Sequence, residues 1–214
     1  MKGDILIISE QHSKAADDII RLALSEVSSK AGKYFFTVAG ESGAGKSEIA
    51  SAMKELLEKQ GLPSYIIQQD DYFILPPRTN GKARIVDINR VGPQEVNLDL
   101  LNKNIKDITS GKPEVIKPLV IFEEDRITSE TAHLEPFKVI IIDGTYTTLL
   151  EGIDCHIFID RDRNDTREDR QKRNREKQND YLESILEIEH HIISRHKEVA
   201  DIIVDKEFKA YRPK

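Results

Sequence analysis

The sequence predicts an α/β fold: a three-layer sandwich with a central, mostly parallel sheet. Three observations carry this expectation. Strand patterns alternate with helical ones along the chain, a glycine-rich turn joins the first strong strand pattern to a helix, and two later runs, KVIIID and CHIFID, are apolar without alternation. Such runs suit parallel strands buried on both faces. A chain of 214 residues has room for one domain with a sizeable core.

Taken in order, Ile5 to Ile8 predict a short strand, and Ala16, Ile19, Ile20, Ala23 and Val27 recur at helical spacing. Together they form an N-terminal strand-helix extension over residues 1–33. YFFTVAG then reads as a buried strand. After the glycine turn, Ile49, Met53, Leu56 and Leu57 mark one face of a helix that Gly61 and Pro63 close, and SYIIQQ supplies the next strand. Strand, helix and strand make a right-handed βαβ unit, which requires parallel pairing. Residues 76–93, rich in proline, glycine and polar side chains, read as an irregular loop, and a helix follows from about Leu98 to Ile108. VIKPLVIF and RITSETAHL predict a small antiparallel excursion over residues 112–136. KVIIID and CHIFID return to the sheet, a charged stretch from Arg161 leads into a long helix, and ADIIVD gives a last strand. One domain over residues 1–214 accommodates all of this.

Composition narrows the function. The net charge is -6, which argues against a nucleic-acid scaffold. No apolar run approaches the length of a membrane span. The start, MKGDILIISEQHSK, has an early Asp4 and only the short run ILII, a pattern unlike a secretory signal. Cys155 is the single cysteine, so no intrachain disulfide can form, in keeping with a reducing compartment. The expectation is a cytoplasmic protein whose partner is a small molecule, with no nucleic acid and no membrane; homo-oligomerisation stays open.

GESGAGKS, residues 40–47, fits G-x-x-x-x-G-K-[ST], and it stands where that motif requires, after a strand and opening a helix. Gly40, Gly43 and Gly45 let backbone N–H groups turn toward phosphates, with Glu41, Ser42, Ala44 and Glu48 completing the cradle. The helix N-terminus adds its positive end. Lys46 is placed for the outer phosphates and the Ser47 hydroxyl for Mg²⁺. A dinucleotide fingerprint is absent, because G-x-G-x-x-G does not occur here. The sequence therefore predicts a nucleoside-triphosphate site on a P-loop NTPase-type fold, with ATP and Mg²⁺ as cofactors and the choice between ATP and GTP open.

A GTPase would read guanine with Asn-Lys-x-Asp; the nearest stretch, NKNI, has Ile105 where the aspartate belongs. A kinase of small molecules needs an acid beside the acceptor hydroxyl, a second strand-end acid for the metal shell, and arginines for the transferring phosphoryl group. QQDDYF places Asp70 and Asp71 at the carboxyl edge of the sheet, where α/β folds bind ligands. Asp143 ends KVIIID and is the metal-shell candidate. Arg163, Arg167, Arg170, Lys172, Arg173 and Arg175 crowd one segment, with Arg167 and Arg170 on one helical face. The rival to a kinase is a nucleotide-binding regulator that transfers nothing.

The succession GESGAGKS, QQDDYF, IIIDGTY and FIDRDRNDTREDRQKR resembles the uridine kinase and phosphoribulokinase-like family of P-loop kinases over roughly residues 34 to 207. The resemblance implies that Asp70 acts on the substrate hydroxyl, with Asp71 as its neighbour. It also implies that Asp143-Gly144 replaces the family's Glu-Gly, and that Arg167 and Arg170 belong to an arginine-bearing lid over residues 161–178. It puts nucleosides first as acceptors, with sugars or other small alcohols behind. RVGPQEV departs from the family's Asp-His-Pro segment: Val91 and Gly92 offer no group to ribose hydroxyls, and the base-contacting tyrosine gives way near Val120. Poor use of uridine and cytidine follows as an expectation. Arg84 and Arg90, with Lys82, would instead suit an acceptor bearing a negative group. His190, His191 and His196 lack H-E-x-x-H spacing and read as a solvated helix face.

Overall fold

The computed structural model describes residues 6–168, 170 and 179–213. Six strands form the main sheet in the order β2-β5-β1-β6-β7-β8: β1 Tyr34–Gly40, β2 Ser64–Gln68, β5 Val139–Asp143, β6 Cys155–Ile159, β7 Ile202–Val204 and β8 Ala210–Tyr211. All pairings are parallel except β7 with β8. β3 Glu114–Ile121 and β4 Arg126–His133 pair antiparallel as a separate hairpin, as the sequence suggested.

Two cores, one on each face of the sheet, make the three layers. Phe36, Val38 and Ile141 point to one side, where α1 Glu10–Ser29 and α2 Lys46–Lys59 cover them. Phe35, Ile140 and Ile142 point to the other, against α4 Leu98–Thr109 and the hairpin. Strict alternation of side chains along a strand explains why β1 and β5 are apolar at nearly every position.

Two expectations are corrected. Residues 6–9 are irregular, so no strand forms across Leu6 to Ile8; Ile5 lies outside the described residues, and the described part of the extension carries helix α1 as its one regular element. Ile7 and Ile8 are exposed, and neither pairs with a strand of the described sheet. Residues 76–93 are not a loop but α3 Pro77–Val86 followed by short 3₁₀ turns at Ile88–Arg90 and Pro93–Glu95. α3 starts with proline at its first turn, where the missing N–H costs nothing. Its free N–H groups at Arg78 and Thr79 donate to the Asp125 carboxylate, which comes from the β3–β4 turn. A cap supplied from 46 residues away has no local sequence signature. The last helix, α5, spans Asp180–Ile193.

Candidate active site

β1 is a central strand, and the loop that leaves it turns over the N-terminus of α2. Gly43 and Gly45 hold positive φ of 84° and 97°, the left-handed region that only glycine enters freely. At Gly43 a Cβ would stand 2.7 Å from Arg170 Cγ, so this glycine also admits the arginine stem over the loop. Lys46 Nζ donates to the Glu41 carbonyl at 2.9 Å, returning across the loop it follows.

Neighbouring strands bring the two acid segments together. In the register of β2 against β5, Gln68 lies opposite Asp143. Beyond the strand ends, Gln69 Oε1 accepts from the Tyr146 N–H at 2.7 Å. Gly144 makes this junction possible, because a Cβ there would lie 2.3 Å from Gln69 Cβ. The acids Asp70 and Asp143 are thus anchored at one edge of the sheet, beside the glycine loop.

Ser47 Oγ donates to Asp143 Oδ2 at 2.6 Å, and Asp143 Oδ1 is buried without a hydrogen-bond partner among the described residues. Burial pushes the Asp143 carboxyl up to about 6, against the hydrogen bond from Ser47, which favours the charged form. A divalent cation fits this pair: it would take the hydroxyl oxygen, and its charge would relieve the desolvated carboxylate. Among the described residues no group of three or more His, Cys, Asp or Glu could hold a metal by itself. Phosphate oxygens would then have to complete any shell at Ser47.

The structure separates the adjacent acids. Asp70 lines a cavity of about 470 Å³ together with Ser42 of the glycine loop, Thr145 and Glu189. Asp71 is buried; it accepts from Lys117 Nζ at 3.0 Å and from the Val120 N–H at 3.0 Å. Desolvation pushes the buried Lys117 ammonium down, but Asp71 and Glu130 outweigh it and hold it above its usual value. Asp71 therefore docks the hairpin and lines a smaller cavity, of about 260 Å³, that also reaches Ser47 and Asp143.

The arginines divide in the same way. Arg170 is buried over Gly43, where it donates to the Arg163 carbonyl at 2.8 Å and to Thr166 Oγ1. Arg167 is exposed, although the two share a helical turn. Arg163 pairs with Glu187, and Lys172, Arg173 and Arg175 lie outside the described residues.

Some partners had no sequence signal. His190, read as solvated, meets the buried Glu41 carboxylate at 2.5 Å. Glu189 accepts the Ser42 N–H at 3.2 Å, so α5 grips the rim of the glycine loop. Only contact across 147 residues reveals this role. Cys155 is fully buried, and desolvation pushes its thiol up to about 12, so it is a core residue without nucleophilic character.

Fold and site together define an ATP-dependent P-loop kinase of small molecules. The phosphoribulokinase/uridine kinase family model matches residues 35–209, and the chain belongs to that family. It is 29% identical over 180 residues to a uridine kinase of Staphylococcus epidermidis, covering 78% of this chain and 84% of that one. It is 23% identical over 193 residues to a bifunctional alpha-galactosidase/sucrose kinase of Mediterraneibacter gnavus. That match covers 84% of this chain but only 21% of the bifunctional protein. A D-glycerate 3-kinase from Cryptococcus neoformans shares the fold, with a TM-score of 0.62 at 14% identity over 96% of this chain and 100% of that one. No helix among the described residues is long and apolar enough to cross a membrane.

Proposed function

We propose that the chain moves the γ-phosphoryl group of ATP to a hydroxyl of a small metabolite by direct in-line displacement. The observation that carries this reading is the pairing of Asp70, facing the large cavity beside Ser42, with Asp143, holding Ser47 beneath the glycine loop. A regulator that only senses nucleotide has no use for a carboxylate facing an acceptor-sized cavity.

When bound, Mg²⁺-ATP would supply the phosphoryl group and the positive charge that offsets its phosphates. The residues do the rest. The loop amides and Lys46 bind the phosphates, Lys46 leaving the Glu41 carbonyl to do so. Ser47 and Asp143, now hydrogen-bonded to each other, would hold the cation. Asp70 orients the acceptor hydroxyl and takes its proton as the new O–P bond forms and the bond to ADP breaks. Arg170, already over Gly43, offers its guanidinium to the transferring oxygens. Nucleosides head the acceptor list because uridine kinases are among the relatives, with sugars and other small alcohols next.

The test is ADP production across a panel of nucleosides, sugars, sugar phosphates and hydroxy acids, with the wild type and Lys46→Ala. Removing the ammonium should cost roughly two to three orders of magnitude in kcat while the fold persists. Nucleotide binding without turnover on any acceptor would favour the regulator.

A further inference from the structure

The large cavity carries a polar cluster that the mechanism does not use. Glu95 is buried in the segment where the family's Asp-His-Pro stretch is missing. It takes two hydrogen bonds from Arg84, at 2.8 Å each, one from Asn80 Nδ2 at 2.9 Å and one from the Gly92 N–H at 3.2 Å. Asn80 and Arg84 line the cavity; Glu95 stands behind them.

Two consequences follow from this geometry. The guanidinium of Arg84 is paired in fork geometry with a buried carboxylate, so its charge is matched before any ligand arrives. Lys82 and Arg90 do not line the cavity, and Arg78, which does, has the Asp125 carboxylate beside it as a counter-charge. The anionic acceptor expected from Arg84, Arg90 and Lys82 therefore has little unmatched positive charge to meet, and Asp70 and Glu189 would repel it. Second, a carboxylate can only accept, so Glu95 fixes the Asn80 amide with its nitrogen inward. Among the described residues Asn80 Oδ1 is left buried without a partner, as is the hydroxyl of Tyr181, a second lining residue. The buried Tyr146 hydroxyl, in the electrostatic field of Glu189, Arg84 and Glu95, has no partner among the described residues either. A buried oxygen that only accepts selects a ligand that donates.

Resting on the kinase reading above, we infer that the acceptor is an uncharged polyhydroxyl or amide-bearing compound that donates a hydrogen bond to Asn80 Oδ1. Glu95 sets this preference without touching the acceptor, and Phe73, Leu75, Phe122 and Leu182 supply apolar wall. Free sugars, polyols and nucleosides belong to this class; their phosphorylated or carboxylated counterparts do not.

The experiment uses matched pairs: glycerol with glycerate, ribose with ribose 5-phosphate, and fructose with fructose 6-phosphate. It reads kcat/KM from ADP production and, independently, calorimetric binding to the ADP-loaded protein. The neutral member should lead its pair by about tenfold or more. Asn80→Ala should raise KM for the neutral acceptor by about tenfold with kcat nearly kept. Glu95→Gln should move the neutral-to-anionic ratio by about tenfold toward the anion, because it unmasks Arg84 and frees the Asn80 amide. Circular dichroism and ATP binding establish that each variant is folded. An anionic compound leading the panel, or Glu95→Gln leaving the ratio unmoved, would overturn this inference and leave the kinase standing. ATP binding without ADP production from any compound would count against the kinase, and calorimetry would still judge the preference; equal binding within the pairs would overturn it.

Discussion

Ser47 Oγ reaches Asp143 Oδ2 at 2.6 Å, and the other Asp143 oxygen is buried with no hydrogen-bond partner among the described residues. Burial raises this carboxyl from 3.8 to about 6. A carboxyl whose folded value lies above its unfolded value stabilises the fold while protonated, and that contribution is lost as pH rises through the folded value. In the nucleotide-free protein the loss falls between pH 3.8 and about 6. Wild type should therefore lose up to about 3 kcal/mol relative to Asp143→Asn across this window. Urea unfolding at a series of pH values measures it. Mg²⁺ with a non-hydrolysable ATP analogue should restore the wild type above pH 6 more than it stabilises the variant. A wild-type-minus-variant difference that stays flat with pH would show that the carboxyl is not held in this way.

Asp70 and Asp71 differ in what they touch, and their variants should differ in kind. Asp70→Asn keeps shape and loses basicity, so kcat should fall by roughly two orders of magnitude or more at unchanged thermal stability and ATP affinity. Asp71→Asn leaves the buried Lys117 with Glu130 as its remaining carboxylate partner. That should cost about 3 kcal/mol of stability and loosen the hairpin, with a smaller effect on kcat at low temperature. The opposite ranking, with Asp71→Asn stable and inactive, would move the base to Asp71.

The Arg170 stem lies where a Cβ on Gly43 would go, so changes at the two positions should not add. Gly43→Ala drives a Cβ toward Arg170 Cγ at 2.7 Å and strains a backbone at φ 84°. Arg170→Ala removes the first problem and leaves the second. In a double-mutant cycle on ATP affinity, the pair should show a coupling of about 1 kcal/mol, and Arg170→Ala alone should lower kcat more than Arg167→Ala does. Strict additivity would mean that the stem over the loop in the free protein moves away when nucleotide binds.

The parts legible in the sequence were those with a local pattern. The apolar runs of β1, β5 and β6 announced buried parallel strands, and glycine spacing announced the turn ahead of Lys46. Asp70 and Asp143 could be placed because strand ends face the ligand edge in such sheets. Which of two adjacent aspartates faces the cavity was not legible, since the answer depends on Lys117, 46 residues on. Glu95 went unnoticed because its partners Asn80 and Arg84 belong to a helix that the sequence did not show. The two-residue β8 is too short to leave a period. Residues 6–8 misled, because an apolar run signals a strand only where a sheet edge awaits it.

α3 itself yields the last prediction. Its apolar pattern is weak and it contains Gly81, a residue that weakens helix interiors. Its first turn depends on Asp125, whose carboxylate accepts from the Arg78 and Thr79 N–H groups and from the Thr79 hydroxyl at 2.7 Å. Asp125 holds φ 48° on the β3–β4 turn to make this reach. Asp125→Ala should free the start of α3, and with it the placement of Asn80 and Arg84 against Glu95. Hydrogen exchange should then quicken across residues 77–86 while α2 and β1 stay protected. The acceptor KM should rise several-fold and the ATP KM should hold, because Lys46, Ser47 and Asp143 stand on other elements. A variant whose ATP KM rises with the acceptor KM, or whose exchange across 77–86 is unchanged, would show that α3 does not rely on this cap.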